Sequence, residues 1–216
     1  MIINIRGTSG SGKSTLVRSI RALYKGPTIS FKEEGRKQPI GYMHHRSATA
    51  LSWAADDPLP GPPLGLVGHY ETDCGGCDTI PKMERIFELA LRAHEKGMDV
   101  LFEGLLISAD VNRTVDLMKS VGAPDTLHVI ALDVPIEECL DSVNARRRGK
   151  WERQKEAKGP EWVKAWTPPL DVNPKNTISK HKGVKQSCER LRAAGVPVHV
   201  LGRVAAYNKV KELFSL

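Results

Sequence analysis

The chain has 216 residues, of which 40% are apolar and 26% are charged, and its formal net charge is +7. This length and composition are typical of an ordinary globular protein with one sizeable core. No run approaches the roughly eighteen apolar residues of a membrane span, and residues 1–10 lack the basic-then-apolar pattern of a signal peptide. We therefore expect a cytoplasmic protein with no membrane partner, in which cysteines are thiols or metal ligands rather than disulfides.

Strands and helices are predicted to alternate along the chain. Apolar runs predict strands at residues 1–6, 28–32, 64–70, 98–104, 127–134 and 196–201. Helical periodicity predicts helices at residues 13–23, 48–55, 81–96, 110–121, 135–148, the later part of 175–194, and 204–214. Residues 24–63 are rich in Pro, Gly and His, and beyond the strand at 28–32 and the helix at 48–55 their sequence predicts no further element. Most strands are continuous apolar runs, which favours a parallel sheet covered by helices on both faces.

The segment after the first strand, GTSGSGKST, matches the G-x-x-x-x-G-K-[ST] phosphate-binding loop without exception. Its glycines let backbone N–H groups turn inward around phosphate oxygens, and the following helix N-terminus adds a favourable partial charge. Lys13 is expected to bridge the β- and γ-phosphates of ATP, Ser14 to ligate Mg²⁺, and Thr15 to assist or to cap the helix. The predicted nucleotide-binding residues are Gly7, Thr8, Ser9, Gly10, Ser11, Gly12, Lys13, Ser14 and Thr15.

The loop, the strand–helix alternation and a cluster of arginines resemble the P-loop kinase group, which includes nucleoside monophosphate kinases. The resemblance implies an α/β fold with three layers (α/β/α), a central parallel sheet of about five strands and a basic helical lid. We expect one P-loop kinase domain at residues 1–216, with residues 144–182 as its lid and acceptor-binding segment.

A buried strand ends in Glu103, where P-loop proteins place an acidic residue that holds Mg²⁺ directly or through water. Asp is commoner there, so Glu103 could instead face the substrate or be a surface carboxylate. Asp133, at the end of the next strand, is an alternative acidic group. Both positions lie at strand carboxyl ends, which face the crevice in such sheets.

Residues 144–190 contain thirteen Lys or Arg against five Asp or Glu, which indicates a polyanionic partner. Arginines can clamp the oxygens of a phosphoryl group in transfer, and Arg146 and Arg147 are favoured over Arg148 and Arg153. The alternative is a solvated helix C-terminus, where cations are favourable anyway. Tryptophans in this segment could stack on bases or pack the lid onto the core.

The segment YETDCGGCDTI contains a CxxC spacing, Cys74 and Cys77. Zinc would need four ligands, and the other two cysteines lack a CxxC partner. A redox pair is a second alternative. The third is a substrate loop in which Asp73 or Asp78 accepts the proton of an attacking hydroxyl. Asp78 could also merely cap the following helix.

Together, GTSGSGKST, YETDCGGCDTI and NTISKHKG are similar to phage P-loop kinases that phosphorylate 5-hydroxymethyluracil within DNA. The resemblance implies ATP-dependent phosphoryl transfer to a hydroxyl on DNA, in the host cytoplasm if the protein is phage-encoded. A nucleoside monophosphate kinase acting on a free nucleotide is one alternative. A DNA-binding NTPase that phosphorylates no acceptor is another.

Overall fold

A computed structural model describes residues 1–46, 61–72, 75–165 and 171–216. Its strands are β1 (Ile2–Arg6), β2 (Thr28–Phe31), β3 (Gly41–His44), β4 (Leu64–Val67), β5 (Asp99–Glu103), β6 (Leu127–Leu132) and β7 (Val198–Leu201). Its helices are α1 (Lys13–Arg21), α2 (Met83–Glu95), α3 (Asn112–Val121), α4 (Ile136–Lys158), α5 (Pro160–Ala165), α6 (Pro174–Ala193) and α7 (Arg203–Leu213). The helix predicted at residues 48–55 lies outside the described residues.

The described strands form one sheet in the order β2-β3-β4-β5-β1-β6-β7. The five strands from β4 to β7 in this order are parallel, which confirms the predicted parallel core. The sheet is larger than the expected five strands, because β2 and β3 add an antiparallel pair beside β4. Sequence reasoning missed β3, whose four residues stand in a segment without a clear apolar period.

Helices cover both faces of the sheet, so the predicted three-layer arrangement is confirmed. Ile3 and Ile5 of β1 face a cluster that includes residues of α1 and α7. Ile2, one residue before Ile3, belongs to the cluster on the opposite face, which includes residues of α2. This alternation follows from the two-residue period of a strand, and burial on both faces explains why the strands read as continuous apolar runs.

Helix α4 is longer than predicted. It was expected to end near Arg148, and it runs to Lys158, so that prediction was wrong. Residues 150–158 are mostly good helix formers, and Gly149 alone costs too little to stop the helix. Gly159, at φ 77°, and Pro160 end it. None of the helices in the described ranges is both long and apolar enough to cross a membrane.

The residue immediately before the phosphate loop, Arg6, is fully buried. Its guanidinium donates to the side chains of Asn4, Thr114 and Ser187 and to the backbone carbonyls of Ser108 and Asp110. Burial lowers the pKa of Arg6 to about 10. These bonds connect β1 to α3, α6 and the turn after β5, and so fix the base of the loop.

Replacing Arg6 with methionine is expected to lower the free energy of unfolding by about 3 kcal/mol, because several buried acceptors would lose their donor. Urea denaturation followed by circular dichroism measures the change. Arg190→Met on the exposed side of α6 is the matched control and should stay within about 0.5 kcal/mol of the unmodified protein. Equal effects of the two substitutions would contradict the stabilising role of the Arg6 network.

Candidate active site

The phosphate loop lies between β1 and α1, where the sequence predicted it. Gly10 has φ 82°, and a Cβ there would lie 2.1 Å from the carbonyl oxygen of Cys139 in α4. Only glycine fits this position, since any side chain would collide with the α4 backbone. The loop is therefore packed against the first turns of α4 and held in a fixed conformation.

Lys13 and Ser14 open α1 and point into the site. The Lys13 ammonium donates to the carbonyl oxygens of Gly7 at 2.9 Å and Thr8 at 3.1 Å, and the residue is 8% exposed. Burial lowers the pKa of Lys13, while the carboxylate of Glu103 favours its charged form. The ammonium thus lies at the loop itself, within reach of phosphate groups that the loop would bind.

Glu103 is the last residue of β5 and pairs in register with Ile5 of β1. Its Oε1 accepts a hydrogen bond of 2.7 Å from the Ser14 hydroxyl, and the residue is 2% exposed. Burial raises the pKa of Glu103, and Lys13 and Ser14 oppose that rise. Because parallel neighbours end at the same edge of a sheet, the predicted acidic group and the predicted hydroxyl come together here.

Asp78 lines the same cavity and lies in a single 3₁₀ turn at Cys77–Thr79. Its carboxylate accepts from the backbone N–H of Leu105 at 2.9 and 3.0 Å and from that of Leu106 at 3.4 Å. The suggestion that Asp78 caps the next helix was wrong, since α2 begins at Met83 after Lys82, with no side-chain cap. Its bonds instead attach the loop after β4 to the loop after β5.

The other aspartate of that loop, Asp73, lies outside the described residues, as does Cys74. The backbone of His69 pairs with that of Gly76 in an antiparallel bridge. Gly76 has φ 78°, and a Cβ there would lie 2.4 Å from the Glu103 Oε1. Gly76 therefore brings the backbone directly against Glu103.

Cys77, the described cysteine of the CxxC pair, is packed in the core as a thiol. It is fully buried, its thiol donates to the carbonyl oxygen of Val67 at 3.3 Å, and burial raises its pKa well above the usual value. A zinc ligand must instead be a thiolate. No cluster of three or more His, Cys, Asp or Glu side chains suited to a metal occurs in the described part of the chain.

One face of α4 forms a wall of the site. The residues of α4 that line the cavity recur at intervals of three or four positions, so they lie on one side of the helix. They are Ser142, Ala145, Arg146, Gly149 and Arg153. Arg146, one of the two arginines favoured from the sequence, lies on this wall. Arg147, one residue on and rotated by about 100°, is not among the residues that line the cavity. The unbroken helix thus brings Arg153, seven residues after Arg146, to the face where Arg147 was expected.

Sequence reasoning missed three cationic or aromatic groups of the cavity. Arg18, one turn after Ser14, donates to the carbonyl oxygens of Tyr70 at 3.1 Å and Thr72 at 2.6 Å. Arg203 donates to the carbonyl oxygen of Ser11 at 3.1 Å, and Tyr207 lies one turn further along α7. Arg18 lies four residues after Ser14, so helical periodicity could have placed it on the same face of α1. The position of Arg203 could not be inferred in this way, because it depends on the order of the strands in the sheet.

The resulting cavity has a volume of about 1050 Å³. Of the described residues that line it, the basic ones are Lys13, Arg18, Arg146, Arg153 and Arg203, and the acidic ones are Asp78 and Glu103. Ordinary small-molecule pockets span about 300–1,000 Å³, so this one has room for a nucleotide and part of a second molecule. Its excess of cations suits polyphosphate, and its two carboxylates lie near the phosphate loop.

No protein-family model matches the chain. It is 44% identical over 214 residues, 99% of this chain and 97% of the relative, to a "5-hmdU DNA kinase" of Pseudomonas phage PaMx11. It is 28% identical over 162 residues, 68% of this chain and 52% of the relative, to a "5-hmdU DNA kinase" of Delftia phage PhiW-14. Among solved structures, it is similar to deoxyadenosine kinase from M. mycoides with bound dATP, with a TM-score of 0.41, 13% identity and 100% of both chains covered.

Proposed function

The chain belongs to the family of 5-hmdU DNA kinases, and from this premise we propose that it transfers the γ-phosphate of ATP to 5-hydroxymethyluracil in DNA. The observation that carries the proposal is that Lys13 of the phosphate loop and Asp78 line one cavity. A donor phosphate and a hydroxyl acceptor can therefore meet there. Since both relatives come from phages, we place the reaction in the cytoplasm of an infected cell.

The phosphate loop binds the triphosphate of ATP. Its backbone N–H groups surround the phosphates, and Lys13 neutralises charge on the β- and γ-phosphates. Arg203 bonds the loop at Ser11, and its side chain lies 3.4 Å from where a Cβ on Gly12 would be. The cavity extends past Arg203 to Tyr207, where an aromatic side chain offers a surface for the adenine ring.

Ser14 and Glu103 fit the requirements of a magnesium site. Both supply oxygen ligands, which Mg²⁺ prefers, and they are 2.7 Å apart beside the phosphate loop. Mg²⁺ is commonly held by one or two carboxylates together with substrate phosphates. When bound there, the ion neutralises charge on the phosphates of ATP. Glu103 keeps the Ser14 hydroxyl oriented toward that position.

Asp78 is the proposed general base. The hydroxymethyl oxygen attacks the γ-phosphorus, the bond from that phosphorus to the bridging oxygen of ADP breaks, and the hydroxyl proton passes to the carboxylate. Asp78 is exposed to the cavity, while backbone N–H groups of Leu105 and Leu106 hold its orientation. Asp73 in the same loop is the alternative base.

Arginines of α4 complete the proposed site. Arg146 faces the cavity, and a guanidinium there can stabilise the charge that develops on the transferred phosphoryl group. Arg153 lies two turns further along the same face and also lines the cavity. The basic segment 144–182, which includes Arg147, is proposed to act as a lid and to contact DNA phosphates.

Transfer of labelled γ-phosphate tests the proposal. The protein is incubated with labelled ATP and, in parallel, with DNA containing 5-hydroxymethyluracil, with the same DNA containing thymine, and with a free deoxynucleoside monophosphate. Label on the hydroxymethylated DNA alone is the expected result. Label on the free monophosphate would instead support a nucleotide kinase, and inorganic phosphate alone would support an NTPase without an acceptor.

Replacing Glu103 with glutamine is expected to raise the Mg²⁺ concentration needed for half-maximal transfer by about 10-fold or more. The amide oxygen can still accept from Ser14, but the negative charge beside the metal position is lost. The measurement is a Mg²⁺ titration at saturating ATP. Glu95→Gln on the exposed surface of α2 is the control, and an unchanged Mg²⁺ requirement in Glu103→Gln would refute the assignment.

A further inference from the structure

Leu106 stands out at the rim of the cavity, because it is a large apolar residue that is 67% exposed. Its neighbour Leu105 lines the cavity, and both follow directly from the end of β5 that carries Glu103. Single exposed apolar residues are common on protein surfaces and by themselves indicate nothing. If the proposed function holds, the position of Leu106 beside the reacting groups indicates a role in binding the DNA substrate.

The floor of the cavity lies below the protein surface. Lys13 is 8% exposed and Glu103 is 2% exposed, so the γ-phosphate that they serve would be held deep in the site. In duplex DNA the hydroxymethyl group projects from C5 of the base into the major groove. The base that carries it is stacked and paired within the helix, so the hydroxyl cannot descend to a buried phosphate while the base stays in the stack. Enzymes that act on a base generally extrude it from the stack into a pocket. We therefore expect the acceptor nucleotide to leave the helix and enter the cavity.

Extrusion leaves a gap in the base stack, and proteins commonly fill such gaps with an apolar side chain such as Leu, Ile, Met or Phe. We propose that Leu106 is a wedge that inserts into the base stack and holds open the gap from which the acceptor nucleotide has been extruded. The side chain has the required chemistry and adjoins the cavity. No other contact with the DNA bases is needed for this role.

A wedge must be held rigidly, and the backbone at Leu106 is fixed on both sides. Its N–H donates to Asp78 at 3.4 Å, and that of Leu105 donates to the same carboxylate at 2.9 and 3.0 Å. The Ser108 hydroxyl donates to the carbonyl oxygen of Gly104 at 2.6 Å, which closes the turn from below. The proposed base, Asp78, therefore fixes the wedge, which links insertion into DNA to alignment of the acceptor.

The charges around the cavity suit the backbone of bent or opened DNA. Arg146 and Arg153 lie on the α4 wall, and residues 146–158 contain seven basic and two acidic residues. Phosphate contacts of this kind position a protein on DNA without reading sequence. An apolar wedge beside a cationic wall is the combination found in proteins that open or kink a duplex.

The test compares duplex and single-stranded substrates for Leu106→Ala. We expect kcat/KM for duplex DNA containing 5-hydroxymethyluracil to fall about 10-fold, in keeping with the loss of the apolar area that one leucine side chain would bury in the stack. For the same strand without its complement, kcat/KM should stay within about twofold. Alanine keeps the backbone N–H that bonds to Asp78, so the proposed base is left in place.

Two further variants sharpen the test. Leu106→Met keeps an apolar wedge and should retain most of the duplex activity. Ile29→Ala removes an exposed apolar side chain from β2 and should leave kcat/KM unchanged for both substrates.

Fluorescence gives a second measurement. A 2-aminopurine next to the acceptor should brighten when the unmodified protein binds duplex DNA, and brighten less with Leu106→Ala.

The outcomes separate the wedge from the proposed function. Suppose that the unmodified protein labels both DNA forms. If Leu106→Ala then loses activity equally on both forms, or keeps full activity on both, the wedge is refuted while the kinase activity stands. If the unmodified protein labels neither DNA form, the proposed function fails and the wedge fails with it.

Discussion

Lys13→Ala is expected to lower the rate of phosphoryl transfer by about 10²–10³-fold, the size of effect seen when a preorganised charge-stabilising donor is removed. Lys13 is the one basic side chain within the phosphate loop, and its ammonium lies on the loop carbonyls of Gly7 and Thr8. Alanine there would leave the charge that develops on the γ-phosphate without its nearest cation. Transfer of labelled γ-phosphate to hydroxymethylated DNA measures the loss.

The control for Lys13 is Lys119→Ala, which removes an exposed lysine from α3 and should leave the rate unchanged. Circular dichroism and thermal melting establish that Lys13→Ala is folded. If the folded variant transferred phosphate at even a tenth of the normal rate, Lys13 would not have the role assigned to it. The identification of the loop as the phosphate site would then be wrong as well.

Asp78→Asn is expected to lower kcat by about 10²–10⁴-fold, the usual contribution of a general base. Asparagine has nearly the same shape, and its amide oxygen can still accept from the N–H of Leu105. The substitution therefore removes the proton acceptor while it preserves the bond between the two loops. Affinity for ATP should change little, because Asp78 is proposed to contact the acceptor rather than the donor.

Asp73→Asn is the matched comparison, because it lies in the same loop and was predicted from the same pattern. A large loss in Asp73→Asn with full activity in Asp78→Asn would transfer the role of base to Asp73. Full activity in both variants would exclude a carboxylate base from this loop. Single-turnover measurements with saturating DNA keep product release from hiding either loss.

The loop after β4 contains structural features that its CxxC pattern does not indicate. Its CxxC spacing suggested metal or redox chemistry, yet Cys77 packs as a buried thiol. The glycines between the cysteines have the structural role, since Gly76 lets the backbone approach Glu103. Asp78, which the pattern marked only as one of two candidates, connects the loops after β4 and β5.

The arginines of α4 show that the residues facing a site cannot be predicted fully when the end of the helix is placed wrongly. The cluster Arg146–Arg148 was recognised from the sequence, and Arg146 does line the cavity. Arg146 and Arg147 were favoured over Arg153, and the helix was expected to end near Arg148. The unbroken helix carries the same face two turns further, so Arg153 joins Arg146 and the intervening arginines point elsewhere.

The phosphate loop and the parallel core can be recognised from the sequence alone. The loop is nine contiguous residues whose conformation depends on local glycines and on the helix that follows. Buried parallel strands are continuous apolar runs that can be recognised one at a time. The rest of the site depends on how the elements pack together. Asp78 reaches Leu105 across 27 positions, and Arg203 reaches Ser11 across 192. Such contacts depend on the sheet order and on helix phase, which no local pattern encodes.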